Sequence, residues 1–504
     1  MRTKIFIVIL TFWLTGCEDF LEEKSQSEIR PSTVTDMEKL LEGEAYFDKN
    51  EGLIFNHGTD IFTDDYTCRV VTKDAMKKAK LKDKFRYTWD ATMFDDNGGG
   101  NDISFWQQPY NRIKGCNVIL EFIDNMSGNE MKRDHLKGEA YTLRGFYYMM
   151  LVNFFGLPYN YGDPEKNPGV PLKIVSGVTD EKFSRNSVKE CYQQIEKDLR
   201  QGAELMAANK EKKSTKRGRL NHLAGYALLS RMFVYTEQWD SVVKYSNLVL
   251  QEKPDLLNFE ANTKKNIYSI DAENLWTMPE ATLDDIYGIT STVHPYVLSQ
   301  DFADVYLQDT DNDVLDLRGA YDKLDGYSTI AVAYVKQGFD YYYDEAVYVT
   351  NWIAAVIKGS DGSHWLNGGI RAAEVYLNRA EAYARKYSLS GNQEEANRAL
   401  EDLNELRRNR FESGYADKEM EDFTDAGALL DFCLRERRRE LCGEGNHRWF
   451  DLRRLGMPEI KHIYVDDENG MKTEYVLQAK DPRYALPIPA EVRLKNPNLV
   501  QNQY

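Results

Sequence analysis

Cys17 stands directly after Leu14, Thr15 and Gly16, and an apolar run from Ile5 to Leu14 follows two cations, Arg2 and Lys4. A positive start, about 10 apolar residues and small residues before a cleavage point make a secretory leader. The run is half the ~20 residues that span a bilayer as a helix. Cleavage before Cys17 would leave a thiol at a new N-terminus, where it can be acylated. Carboxylates are the next chemical resource. With 81 acids, neighbours such as Asp64 and Asp65, Asp95 and Asp96, or Asp284 and Asp285 are inevitable. Glycoside hydrolysis needs two carboxylates facing each other about 5–9 Å apart across a sugar. Adjacency in sequence does not provide that. The seven histidines form no HExxH, no serine sits in a GxSxG elbow, and neither a P-loop nor a dinucleotide fingerprint is present. Asp309, Asp311 and Asp313 open like a calcium loop, but Val314 takes the place of its glycine and Ala320 that of its closing glutamate. No catalytic residue, metal site or cofactor is expected.

Binding is the chemistry that remains. A pyranose is held by a flat aromatic face against its C–H side, with carboxylates, amides or arginine for its hydroxyls. Trp106 lies on a helical period and Trp276 in an apolar strand-like run, so both read as core. Trp239 begins a helix. Better candidates stand in irregular polar segments: Trp89 and Phe94 beside Asp95 and Asp96, ahead of Gly98 to Gly100. Tyr287, His294 and Tyr296 form a second group, Tyr342 lies within a run of three tyrosines, and Trp365 follows a Gly-Ser-Asp stretch. The same residues would serve equally as packing.

The elements that must position these groups are long helices. Residues 103–126 and 130–155 carry apolar residues at three-to-four spacing, and Gly156 and Pro158 stop them. A helix is predicted from Val188 to Met206 with Ser187 as its cap. Residues 219–251 and 370–410 each read as two helices, joined near Glu237-Gln238 and Ser390 to Asn392, with small residues on one member facing larger ones on the next. These are hairpins of tetratricopeptide type without a strict period. Between them, about 50–102 and 255–368 are irregular insertions with short strand candidates at Asn274–Met278 and Glu345–Val349. Loops on a rigid scaffold are where binding residues concentrate.

Removing residues 1–16 takes the formal charge from −17 to −19, since Arg2 and Lys4 leave with no acid. That disfavours nucleic acid, which needs a basic face. Five scattered cysteines besides Cys17 form neither a disulfide framework nor a zinc site.

Several motifs resemble one family. The run RAAEVYLNRAEAYAR over Arg371–Arg385 and the run ERRRELCGEGNHRWFDLRR over Glu436–Arg454 are similar to signature helices of SusD/RagB outer-membrane lipoproteins. So are RGFYY from Arg144, FFGLP from Phe154, and the ending LPIP from Leu486 through NPNLVQNQY from Asn496. The leader with Cys17 resembles a lipobox, followed by an acidic tether over 17–35. Cys442-Gly443 departs from the family's usual Ala-Phe. The resemblance implies a mainly α fold over 36–504. Its helical scaffold lies mainly at 103–251 and 370–456, and the irregular half carries the ligand. It implies a cell-surface protein, lipid-anchored at Cys17 in the outer membrane, that binds oligosaccharides and passes them to a SusC-like TonB-dependent transporter. A RagB-like peptide binder and a protein-only adapter are the alternatives. Some members hold calcium, at a site this sequence does not map. The charged signature motifs read as ion-pair networks between helix and following loop.

Overall fold

The computed structural model describes residues 31–47, 54–55, 58–71, 74–95, 102–177, 179–210, 218–261, 273–277 and 369–504. Between 281 and 366 it describes the strands given below with 295, 299, 301–302, 305 and 314–318. Cys17 and the expected leader, residues 1–16, lie outside these residues.

Twelve helices of six residues or more are described: α1 Val34–Leu40, α2 Asp74–Tyr87, α3 Ser104–Phe122, α4 Glu130–Phe155, α5 Val188–Ala208, α6 His222–Tyr235, α7 Trp239–Leu250, α8 Ala372–Ser390, α9 Gln393–Arg408, α10 Ala426–Glu440, α11 His447–Arg454 and α12 Ala490–Lys495. Their ends are written locally. Ser187 caps α5, taking the Glu190 N–H while the Glu190 carboxylate takes the Ser187 N–H. The α6/α7 joint falls at Glu237, as the spacing predicts, and Gly391 (φ 70°) ends α8 before Asn392 caps α9. The molecule is mainly helical.

Helix α2 corrects one expectation. It lies inside the stretch 50–102 read as irregular, and lysine-rich DAMKKAKLKDKFRY shows why the reading failed. Its apolar stripe is interrupted by Lys80, a fully buried lysine whose ammonium donates to the carbonyls of Arg69 and Val465 and pairs with Asp467. Polar satisfaction deep in the fold replaces the greasy face that a pattern search looks for.

The strands are short: β1 Tyr66–Cys68, β2 Asn274–Trp276, β3 Ala281–Thr282, β4 Tyr296–Leu298, β5 Ala331–Val335, β6 Gly338–Tyr342, β7 Glu345–Val349, β8 Trp352–Ile357, β9 Trp365–Leu366, β10 Ile370–Arg371, β11 Ile460–Val465 and β12 Lys472–Leu477. One sheet runs in the order β1-β4-β8-β5, and the others are pairs: β10-β2, β3-β9, β6-β7 and β11-β12. Every pairing between these described strands is antiparallel. The β2 and β7 strands match two predicted positions.

Helices α4 and α5 meet through glycine. A Cβ built on Gly202 would fall 2.2 Å from the Thr142 hydroxyl and 2.7 Å from the Gly138 carbonyl. Only hydrogen fits there.

Buried charge holds the insertion to the helices. Arg371, at the head of α8, donates to Glu273 (2.5 Å), Glu440 (2.5 Å) and Glu444 (2.8 Å). Arg410 reaches Glu273 and Glu440 as well, and Arg318 joins Asp316 to Glu436 and Glu440. Every one of these side chains is nine-tenths buried or more. Burial alone would raise the Glu436 and Glu440 carboxyls. Arg318, Arg407 and Arg439 around the first, and Arg410, Arg371 and Arg318 around the second, outweigh it and hold both well below the usual range. The motif Glu436–Arg454 is thus an ion-pair network, as its charge pattern predicts, and it extends to Glu273, Asp316 and Arg318 of the insertion.

Candidate functional site

Three of the predicted ligand residues are inside the protein. Trp89 is 1 % exposed; its indole donates to the Phe62 carbonyl (3.0 Å) and its ring stacks on His462 at 4.2 Å. Its φ of 52° lies in the left-handed region directly after α2, so the chain reverses there and carries the ring inward. Tyr296 donates from its hydroxyl to the Lys80 carbonyl (2.8 Å) and packs 4.8 Å from Tyr87. Phe94 packs 5.0 Å from Phe105. A ring with its polar atom satisfied and both faces covered cannot stack on a sugar, so these three are corrected to core. Aromatic residues in a polar stretch look exposed in sequence, but here the stretch folds down onto α3 and the β11 strand.

Asp95 is half-buried, and its carboxylate accepts the Ala490 N–H (3.3 Å) that opens α12. Tyr342 ends β6 opposite Glu345, and Trp365 in β9 lies opposite Thr282. Asp96, Tyr287 and His294 lie outside the described residues, as does the acidic stretch 309–313. Trp276 is buried as predicted, donating to the Gly218 carbonyl (3.0 Å).

A cavity of about 330 Å³ lies between α3 and α12. Three elements line it. The first turns of α3 contribute Trp106, Gln107, Tyr110 and Asn111, spaced so that one helix face turns inward. The segment after α4 contributes Pro171, Lys173 and Phe183. From α12 and the residues after it come Glu491, Val492, Lys495, Asn496 and Leu499. Volumes from about 300 Å³ upward suit small-molecule ligands.

The walls are aromatic and the rim is polar. Trp106 is fixed edge-on to Phe155 (4.9 Å) and lies 5.2 Å from Tyr110, whose hydroxyl donates to the Pro171 carbonyl (2.8 Å). Burial holds the Tyr110 phenol far above its ordinary range, so it stays neutral. Lys173 lies 5.9 Å over the Phe183 ring, and Lys495 pairs with Glu491 (2.5 Å). Gln107 and Asn111 are exposed on the α3 side.

The far wall exists because the C-terminus is pinned. The Leu486 N–H donates to the Phe154 carbonyl, and the Asn496 and Asn498 amides donate to Phe183 and Lys182 carbonyls. The Asn502 amide bonds Phe155 and Leu486 carbonyls. The single carboxylate of the lining, Glu491, is ion-paired with Lys495. Among the described residues no cluster of acids, histidines and cysteines could hold a metal. The arrangement can bind, by stacking and amide hydrogen bonds. Sequence reasoning placed Trp106 in the core, which is right for most of its surface, and missed the site because Phe183 and Val492 join it from segments 77 and more residues away.

Comparisons with known proteins converge. Residues 19–234 match a SusD-like family model described as starch-binding associating with outer membrane, and residues 347–504 match the SusD family model. A curated relative, SusD-like protein P2 of Formosa agariphila, is 25% identical with 99% of both chains covered. A putative sugar binding protein from Bacteroides vulgatus shares the fold at TM-score 0.68 and 23% identity, covering 94% of this chain and 99% of that one. A SusD superfamily protein from Bacteroides thetaiotaomicron does so at TM-score 0.68 and 22% identity, covering 94% of this chain and 100% of that one.

Proposed function

The chain belongs to the SusD family, and from that premise we propose that it captures oligosaccharides at the cavity between α3 and α12 without altering them. The observation that carries this is the lining: the Trp106 indole, the Tyr110 phenol and the Phe183 phenyl ring, with amides and charges at the rim. A sugar needs both surfaces at once. The family description supports association with the outer membrane. Our reading adds a lipid anchor at Cys17, an outward-facing orientation and handover to a TonB-dependent transporter. Tethering raises local concentration, so modest affinity per site suffices.

A glycan array and a peptide library, each probed with residues 18–504, test the reading. The expected result is saturable binding of a glycan class. Gln107→Ala with Asn111→Ala should weaken it by about tenfold, the equivalent of ~1.4 kcal/mol, with an unchanged melting temperature. Saturable peptide binding with no glycan response would overturn it, as would wild-type glycan affinity in the double variant.

A further inference from the structure

One arginine departs from the rule that governs the rest of the interior. Arg144, Arg231, Arg371, Arg410, Arg437 and Arg454 are all buried, and each meets a carboxylate. Arg453, 2 % exposed, meets none among the described residues. Its Nη2 donates to the Gly156 carbonyl at the C-terminal end of α4, where the helix dipole offers only partial negative charge. Among the described residues its Nε and Nη1 have no hydrogen-bond partner, and neither does the indole Nε1 of fully buried Trp449.

Trp449 and Arg453 stand four residues apart on α11 and share a face. That face carries three unsatisfied donors and a permanent charge. Around it stand tyrosines. The Tyr484 ring stacks on Trp449 with centroids 4.9 Å apart, and Tyr192 and Tyr235 are the other groups acting on the Arg453 charge. The hydroxyls of Tyr192 and Tyr484 already donate to Asn153 Oδ1 and the Pro458 carbonyl. Neighbouring acids are engaged: Asp451 by Arg437 and Arg454, Asp64 by Arg448. Burial pushes the Arg453 guanidinium down to about 10, which leaves it protonated at neutral pH. A buried cation without a counter-charge is strongly unfavourable.

We propose that the Trp449–Arg453 face of α11 is a binding site for a small monovalent inorganic anion of halide size. Donors without acceptors select an anion over a second cation. Full burial behind tyrosine rings excludes carboxylate or phosphate esters. The anion would join α11 to the end of α4 and the segment at Tyr484, the same segment that leads into α12.

Crystals of the intact residues 18–504 soaked in sodium bromide and measured at the bromine absorption edge test this directly. The expected result is an anomalous peak within about 3.5 Å of Arg453 Nη1 or Nε and Trp449 Nε1. Absence of a peak there, or ordinary water density, would overturn the proposal. A solution arm uses thermal unfolding at constant ionic strength, with bromide or chloride replacing bulky gluconate. The wild-type midpoint should rise by about 1–2 °C, as a ligand bound only by the folded state requires. Trp449→Phe, which keeps the stack and removes one donor, should reduce that rise, and Arg453→Met should abolish it. An equal rise in wild type and Trp449→Phe would count against the site, and that comparison holds even if Arg453→Met does not fold.

Discussion

Arg371 shows how much one residue decides. It is 1 % exposed and bonds three carboxylates and the Glu440 carbonyl, so it joins the insertion residue Glu273 to α8, α10 and the turn after α10. Arg371→Met leaves Glu440 and Glu444 buried with fewer cations. Removing one partner of such a group costs about 3–5 kcal/mol, and chemical denaturation of the variant should read that loss. A cost below ~1 kcal/mol would mean that Arg410 alone compensates. The sequence made the charge pattern of Glu436–Arg454 legible, because acids and bases alternate on neighbouring turns. It did not reveal Glu273, Asp316 or Arg318 as partners, since they lie 118 or more residues before Glu436. The aromatic candidates failed for a related reason. Trp89 and Tyr296 carry a polar atom that finds a carbonyl only in the folded chain.

Among the elements, the α4/α5 pair and the α12 segment carry the argument. Gly202→Ala puts a methyl against Thr142 and the Gly138 carbonyl, and backbone on one side cannot retreat. The expected cost is about 1–3 kcal/mol, visible as a lower denaturation midpoint. An unchanged midpoint would show that the helices can separate freely. Hairpins α6/α7 and α8/α9 were legible because their joints use local rules: a turn at Glu237 and a left-handed Gly391 ahead of an asparagine cap. Helix α2 was not, because its interior position rests on Lys80 reaching two carbonyls and Asp467. The Asp95 carboxylate accepts the first N–H of α12.

At the scale of the whole molecule, buried carboxylates set the pH response. Burial alone would raise Glu374, Glu436, Glu440 and Asp451, but adjacent arginines hold each below its ordinary range. Their unfolded values are near 4.3 for glutamate and 3.9 for aspartate. Depressed folded values mean that their stabilisation is complete above those values and disappears as pH falls through the folded ones. Asp402, pushed up to about 6 by burial against the pull of Arg379, acts in the opposite sense as pH rises. Four groups outweigh one. Unfolding free energy should therefore drop by ~3 kcal/mol or more between pH 5 and pH 3, where the four depressed carboxyls dominate, measured by urea titration at each pH. A flat profile down to pH 3 would contradict the network. The sequence by itself determined the helical hairpins, the charged signature helix and the family resemblance, because each is written in neighbouring residues or short spacings. Only the tertiary structure decided which aromatic rings are covered, which carboxylate answers which arginine, and that α3, residues 171–183 and α12 enclose one cavity. Those outcomes depend on segments hundreds of residues apart meeting at hydrogen-bond distance, and no local pattern encodes that meeting.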